Sequence, residues 1–199
     1  MDQVLSPTQE SDQAQSASSA PALMAALARG DLAAANWLLE NYSQPVTALA
    51  RRLLAWDDGA QDVAQEVFVA AVLHAGTFRG DSGLWTWLSQ ITVNECRKQM
   101  RHKWLWRRFL ASPSARGQGV GGDHALPRLA GDEHADQVRR AVAALPPKLR
   151  EAIVLHYLQE MPVSEVGQVL GLSETAVSVR LHRARQRLKG ELRTLWEEK

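Results

Sequence analysis

The sequence predicts an all-α protein with two small helical domains joined by a flexible linker. Apolar residues recur at helical spacing in both halves, and no alternating strand pattern occurs. Residues 111–131 contain five glycines and two prolines without sustained periodicity, which is a linker composition. We therefore expect a disordered tail, a first domain, a linker and a second domain over residues 1–21, 22–104, 105–131 and 132–199.

Turn and capping residues divide the start of the first domain into helices. A short helix is predicted over Ala22–Ala28, with Gly30 as its stop. Asp31 is predicted to cap the next helix, because a carboxylate accepts hydrogen bonds from first-turn N–H groups. Proline lacks an N–H group and clashes with the preceding turn, so Pro45 is predicted to interrupt that helix.

The rest of the first domain is predicted to form two further helices. Asp57 or Asp58 is expected to cap the third, which Gly76 ends. Its expected apolar side consists of Val63, Val67, Ala70, Ala71 and Leu73. A polar loop then leads into a helix from about Leu84 to Arg101. The apolar stretch Trp104–Leu110 either extends that helix or docks on a partner.

The second domain carries the layout of a helix-turn-helix. Pro146-Pro147 and Pro162 separate its first helices, and Gly171 permits the positive φ of a sharp turn. Leu172 is predicted to plug the angle between helices, and Ser173 to cap the last helix. The buried stripe of that helix is predicted to be Val177, Leu181, Ala184 and Leu188.

The outer face of the last helix is basic and predicts DNA binding. It carries Arg180, Arg183 and Arg185, and a helix with this pattern fits a major groove. Arginines neutralise phosphates, while short polar side chains near the helix start reach base edges. An ordinary helical hairpin with a solvated basic face is the alternative. The motif alone does not choose among classes of DNA-binding protein.

Composition argues against an enzyme, a membrane protein and a secreted protein. The six histidines lie apart, the single cysteine has no partner, and no glycine-rich phosphate loop occurs, so we expect no catalysis, metal or cofactor. No apolar run is long enough for a membrane helix, and no signal peptide is evident, so we expect a cytoplasmic protein without membrane insertion. Net charge is +1, but bases concentrate in residues 97–108 and acids in residues 57–66.

Three segments resemble extracytoplasmic-function sigma factors (sigma-70 family, group 4, RpoE-like). Residues 60–69, Ala-Gln-Asp-Val-Ala-Gln-Glu-Val-Phe-Val, are similar to the polymerase-binding helix of sigma region 2. Residues 78–94, from Phe-Arg-Gly-Asp-Ser-Gly to Asn, resemble the segment that reads the promoter −10 element. The run from Leu145-Pro146-Pro147 to Arg185 is similar to region 4. The resemblance implies a stress-response sigma factor that binds core RNA polymerase and promoter DNA in transcription initiation.

The resemblance also implies which residues form each contact. Contacts to the −35 element are expected from Ser173, Glu174, Thr175, Ser178, Val179, Arg180, His182, Arg183 and Arg185. Contacts to −10 DNA are expected from Phe78, Arg79, Gly80, Asp81, Ser82, Ile91, Asn94, Arg97, Lys98 and Arg101. Core polymerase is expected to contact Asp58, Asp62, Gln65 and Glu66. The implied partners on polymerase are the β′ clamp helices and the β flap, and an anti-sigma factor is implied as inhibitor.

Several assignments keep an alternative at this stage. Phe78 is either a DNA contact or a core aromatic, Trp87 is predicted to be core, and Trp85 is a candidate nucleic-acid or partner contact. Ser89 stands where the family often carries a second aromatic, which argues against base stacking at this position. A transcriptional regulator that binds duplex DNA without being a polymerase subunit is the alternative function. Such a regulator needs a ligand pocket or a receiver domain, and the sequence pattern of the first half indicates neither.

Overall fold

The computed structural model describes residues 20–56, 58–110 and 133–193, and this part of the chain is all-α, without strands. The predicted fold class is thereby confirmed. Most of the predicted tail and linker, residues 1–19 and 111–131, lies outside the described residues. Within them, no helix combines the length and the apolar character needed to cross a membrane.

Residues 20–56 and 58–110 of the first half form four α-helices. Residues 20–28 form α1, and α2, α3 and α4 span Leu32–Leu53, Ala60–His74 and Leu84–Leu110, with a 3₁₀ turn at Ala75–Thr77. Gly30 lies in the turn that ends α1 and adopts φ +82°, so the predicted stop is confirmed. The carboxylate of Asp31 accepts hydrogen bonds from the N–H groups of Ala33 at 2.8 Å and Ala34 at 3.4 Å, so the predicted cap is confirmed.

The predicted break at Pro45 is wrong, because α2 continues through it. Proline deprives the helix of one backbone hydrogen bond. Val46 and Leu49, which follow, are fully buried, and their packing outweighs that loss. The hydroxyl of Thr47 also donates to the carbonyl of Ser43 at 2.7 Å beside the proline.

The predicted aspartate cap of α3 is also wrong. The N-cap is Gly59, without a side-chain hydrogen bond, so Asp58 lies one residue too early; Asp57 lies outside the described residues. The connection is set by Ala55 and Trp56, which adopt left-handed φ values of 59° and 62°.

Residues 133–193 of the second half form four α-helices and a π-helical turn. Helices α5, α6, α7 and α8 span Glu133–Ala144, Pro147–Ile153, Val163–Leu170 and Glu174–Glu191, and the π turn at Val154–Leu158 continues α6. Pro147 occupies the first turn of α6, where its missing N–H costs nothing.

The two halves share one hydrophobic core. Its buried residues include Leu53 and Val93 of the first half and Ile153, Val166 and Leu181 of the second. Helix α4 packs against α2 and α3 on one side and against α7 of the second half on another. A further cluster, around Met24, Leu27, Leu38 and Leu88, lies within the first half. The halves are therefore docked together, which sequence periodicity did not predict.

Candidate nucleic-acid interface

The helix-turn-helix of the second half has the predicted turn chemistry. Gly171 ends α7 in the left-handed region at φ +67°. The hydroxyl of Ser173 then caps α8 by accepting from the N–H of Ala176 at 3.3 Å. A Cβ on Gly167 would lie 2.8 Å from the carbonyl oxygen of Leu172, so glycine allows the turn to approach α7 closely.

Helix α8 buries its predicted stripe and presents polar residues outward. Val177, Leu181 and Ala184 are buried, and Leu188 packs partly against the shared core. Most of the predicted −35 residues are exposed: Ser173, Glu174, Thr175, Ser178, Val179, His182, Arg183 and Arg185. This arrangement leaves accessible the kinds of side chain that read base edges and bind phosphates in DNA-binding helices.

Two arginines of α8 already have neighbours within the protein. The Arg185 guanidinium donates to the phenolic oxygen of Tyr157 at 3.2 Å. Arg180 differs more from the prediction, because its side chain is only 22% exposed and its Nη1 lies 3.9 Å from the Glu151 carboxylate. It therefore faces α6 rather than open solvent.

The loop at residues 78–83 combines an anchored aromatic with exposed polar residues. The Phe78 ring is half-buried and packs edge-on against Trp87, with ring centroids 5.6 Å apart. Gly80 adopts φ +77°, which turns the chain sharply. Arg79, Gly80 and Asp81 are exposed, and Ser82 is half-buried. Phe78 thus supports the loop, while its neighbours form the accessible surface.

The predicted −10 residues of α4 have different environments. Asn94 and Arg101 are exposed, whereas Ile91 packs partly against both hydrophobic clusters. Lys98 is exposed and pairs with Glu95 at 3.1 Å, an interaction that raises the pKa of Lys98. The Arg97 guanidinium donates hydrogen bonds to the carboxylate of Glu151 in the second half.

The two tryptophans at the start of α4 are both packing residues. Trp87 packs on the first-half cluster, as predicted. Trp85 stacks on Tyr42 with ring centroids 6.2 Å apart and planes 18° apart, and it contacts both clusters. The half-buried position of Trp85 therefore differs from the exposed contact that its place off the apolar stripe indicated.

A separate surface of α3 carries the predicted polymerase contacts. Asp58, Asp62, Gln65 and Glu66 are all exposed. The expected apolar side of α3 needs correction, since Leu73 is 74% exposed. It borders an apolar groove of about 320 Å³ between α2 and α3, which is lined by Ala35, Leu38, Leu39, Phe68, Val69, Val72 and Leu73. The sequence signal that could have located this groove is the set of apolar residues of α3 that lie off its buried stripe.

Sequence reasoning also missed a pair of buried charges in α6. Arg150 and Glu151 are 6% and 4% exposed. The Arg150 guanidinium donates to the carbonyls of Leu53 at 3.0 Å and Ala143 at 2.7 Å, and burial lowers its pKa. Glu151 accepts two hydrogen bonds from Arg97, at 2.9 and 2.7 Å. A buried charge requires such partners, and here part of them comes from the first half.

Comparison with known proteins identifies both halves. The family model for sigma-70 region 2 matches residues 38–105, and that for sigma-70 region 4 matches residues 135–188. The ECF RNA polymerase sigma factor SigM of Mycobacterium tuberculosis is 32% identical over 166 residues, covering 83% of this chain and 81% of the relative. The RNA polymerase sigma-H factor of Pseudomonas aeruginosa is 29% identical over 198 residues, covering 96% and 98%.

A solved structure has a similar fold. The structure of CnrH in complex with the cytosolic domain of CnrY is similar with a TM-score of 0.63 and 27% identity, covering 88% of this chain and 98% of that one. Both predicted sigma regions are matched in the predicted order, and the relatives cover nearly the whole chain. The chain therefore belongs to the extracytoplasmic-function sigma factors of the sigma-70 family and is an RNA polymerase sigma factor.

Proposed function

We propose that this sigma factor binds core polymerase and positions it through two separate DNA readers. Residues 132–199 form the −35 reader, with α8 in the major groove, and residues 22–104 form the −10 reader and the polymerase-binding domain. The observation that carries this proposal is the accessible basic face of α8, set by Gly171 and Ser173 at the end of a helix-turn-helix. Run-off transcription with core polymerase tests it, and a chain that neither binds core nor starts transcripts refutes it.

The −35 contact is tested by removing one exposed cation from α8. Each lost phosphate contact lowers the salt dependence of DNA binding by about 0.9 in log–log slope. Arg183→Ala is expected to reduce promoter binding by the holoenzyme with that change in slope. Arg29→Ala is the matched control, because Arg29 is exposed and lies in the turn after α1. Equal effects of both variants would contradict the assignment.

The −10 contact is tested on the exposed face of α4. Asn94 has donors and acceptors able to read a base edge, and exposed Arg79 and Arg101 supply positive charge in the same domain. Asn94→Ala is expected to slow promoter melting, followed by permanganate reactivity of thymines, with little loss of duplex binding. Gln44→Ala, an exposed change on α2, is the control. Unchanged melting in Asn94→Ala would contradict this role.

The polymerase contact combines the acidic surface of α3 with the neighbouring groove. Asp62 and Glu66 offer carboxylates to a basic partner, and the groove accepts apolar side chains. Glu66→Lys is expected to weaken capture of core polymerase, whereas Glu40→Lys, an exposed change on α2, retains it. Retention of core by Glu66→Lys would place the contact elsewhere. The β′ clamp helices and the β flap are the polymerase elements that we assign as partners.

We infer cytoplasmic action and control by an anti-sigma protein. Promoter DNA and core polymerase are the proposed partners, and the apolar groove offers a surface that an inhibitor is able to cover. Purification of the native protein from uninduced cells tests this control. Recovery without a stoichiometric partner under those conditions would count against it.

The alternative, a helix-turn-helix regulator that is no polymerase subunit, makes a different prediction. Such a protein binds a specific duplex tightly by itself, whereas a sigma factor gains specific binding when core polymerase holds both readers at a fixed spacing. Electrophoretic mobility shifts with and without core separate the two functions. Tight specific binding without core, together with no transcripts, would support the regulator.

A further inference from the structure

A buried carboxylate holds one of the proposed −10 contacts. Glu151 lies on α6 in the second half, and Arg97 lies on α4 in the first. The Arg97 guanidinium donates from Nε to Oε1 at 2.9 Å and from Nη2 to Oε2 at 2.7 Å. This two-point geometry is the one that guanidinium groups also use to bind phosphate. The hydrogen bonds raise the pKa of Arg97, so the arginine stays charged in this pair.

The same carboxylate also faces the proposed −35 reader. Nη1 of Arg180 on α8 lies 3.9 Å from Oε2 of Glu151, beyond hydrogen-bonding distance but close enough for attraction. The Arg180 side chain is 22% exposed. One buried anion thus attracts a cation from each of the two proposed DNA-reading elements.

Further hydrogen bonds join the halves around this anion. Arg150 Nε donates to the carbonyl of Leu53 at 3.0 Å, and Arg52 Nη1 donates to the carbonyl of Leu158 at 3.0 Å. The hydroxyl of Thr86, which is buried, donates to the carboxylate of Glu165 at 2.9 Å. These bonds and the shared core keep Glu151 against Arg97, so the pairing depends on the docked arrangement.

We propose that Glu151 is an internal competitor of promoter DNA, which makes the closed arrangement self-inhibiting without a second protein. The proposal rests on the proposed function, in which Arg97 and Arg180 contact DNA. A phosphate and Glu151 cannot occupy the Nε–Nη2 edge of the Arg97 guanidinium at once, so two-point phosphate binding through that edge requires Glu151 to move away. The apparent DNA affinity is then the intrinsic affinity reduced by the fraction of open molecules. Core polymerase, by holding the two regions apart, releases both cations.

The test measures separation of the halves and DNA binding in the full chain. Energy-transfer labels are placed on Gln44→Cys in α2 and Gln186→Cys in α8, both exposed positions. Cys96 is buried, and desolvation together with nearby Glu151 raises its pKa to about 12, so it resists labelling. The DNA probe is a short random-sequence duplex at low ionic strength, since phosphate contacts do not depend on sequence.

Glu151→Gln is the main variant, and Glu40→Gln is its control. Glutamine retains one acceptor for Arg97 but removes the charge and one hydrogen bond. Because a hydrogen bond to a charged group is worth at least a tenfold population change, we expect lower energy transfer and about tenfold tighter duplex binding. Glu40→Gln makes the same charge change at an exposed position of α2, and we expect less than about a twofold effect there.

A second variant keeps the test decisive if Glu151→Gln fails to fold. Thr86→Val removes the hydrogen bond to Glu165 while preserving side-chain size, and we expect it to change energy transfer and binding in the same direction. Unchanged distance and affinity in the folded variants would overturn the proposal. The failure of the sigma function would appear separately, as absence of transcripts from the wild type with core. The distance between the halves does not depend on that result.

Discussion

Arg150 is predicted to be the side chain whose loss most weakens the docking of the two halves. It lies in α6, and only 6% of its surface is exposed. Its guanidinium donates to the carbonyls of Leu53 at 3.0 Å, Ala143 at 2.7 Å and Leu145 at 3.3 Å. Arg150→Met fills similar volume but leaves these carbonyls without their donor. The first of them belongs to the other half of the protein.

The expected cost follows from those bonds. A hydrogen bond to a charged group contributes about 1.5–3 kcal/mol, so the two shorter bonds amount to at least about 3 kcal/mol. Burial of the Arg150 charge is unfavourable and lowers the pKa of Arg150. The methionine variant avoids that desolvation cost, which offsets part of the lost hydrogen-bond energy. We therefore expect Arg150→Met to lower the free energy of unfolding by about 2–4 kcal/mol.

Urea unfolding followed by tryptophan fluorescence and far-UV circular dichroism measures this change. Arg140→Met is the matched control, because Arg140 is exposed and donates to the carbonyl of Asp136, one turn away on the same helix at 3.3 Å. We expect the control to lie within about 0.5 kcal/mol of the wild type. Equal stabilities of the two variants would refute the role assigned to the buried guanidinium.

Three further predictions concern single residues. Gly171→Ala is expected to lower stability by about 1–2 kcal/mol, because alanine is strained at φ +67°, and thermal unfolding measures it. Ser173→Ala is expected to cost about 1 kcal/mol through loss of the cap on α8, also measured by thermal unfolding. For Cys96, the unfolded thiol ionises near its ordinary pKa of 9.0, while burial keeps the folded thiol protonated up to about 12. Its contribution to stability is therefore complete below pH 9 and is lost by about 1.4 kcal/mol per pH unit above it, as urea unfolding at several pH values measures.

Each of these has a control and a contrary outcome. Gly190→Ala has free space around it inside α8 and is expected to stabilise by up to about 1 kcal/mol, so destabilisation similar to that of Gly171→Ala would contradict the φ argument. Ser178→Ala, an exposed serine within α8, serves for Ser173, and equal losses would argue against capping. Cys96→Ala lacks the thiol, so an identical alkaline decline in both proteins would exclude Cys96 as its cause.

Local chemistry explains which features the sequence predicted. Asp31, Gly171 and Ser173 act on backbone groups within three residues of themselves, so short-range rules located them. Pro45 failed as a helix break because its outcome depends on burial of the residues that follow. Helical periodicity predicted which side of α8 is buried, whereas the expected −35 contacts came from the family resemblance.

The features that the sequence did not predict depend on contacts between the two halves of the protein. Arg150 and Glu151 are charged residues of α6, and their hydrogen-bond partners come from segments far away in the sequence, Leu53 and Arg97, as well as from nearby Ala143. Arg97 and Arg180 were predicted as DNA contacts, and the sequence gives no sign that they face one carboxylate. These side chains come from segments that are far apart in the sequence. The periodicity of apolar residues does not predict contacts between such segments.

The hydrophobic core shared by both halves has a consequence for how the molecule unfolds. Apart from Trp196, every tryptophan belongs to the first half, so in a Trp196→Phe variant fluorescence observes the second half only through its effect on the first. Helical circular dichroism, in contrast, reports both. If the common core makes the sigma regions a single cooperative unit, the two signals trace the same transition; independent regions would give a dichroism change that fluorescence does not follow. An ordinary denaturation curve recorded with both probes thus measures the cooperativity that joins the promoter readers.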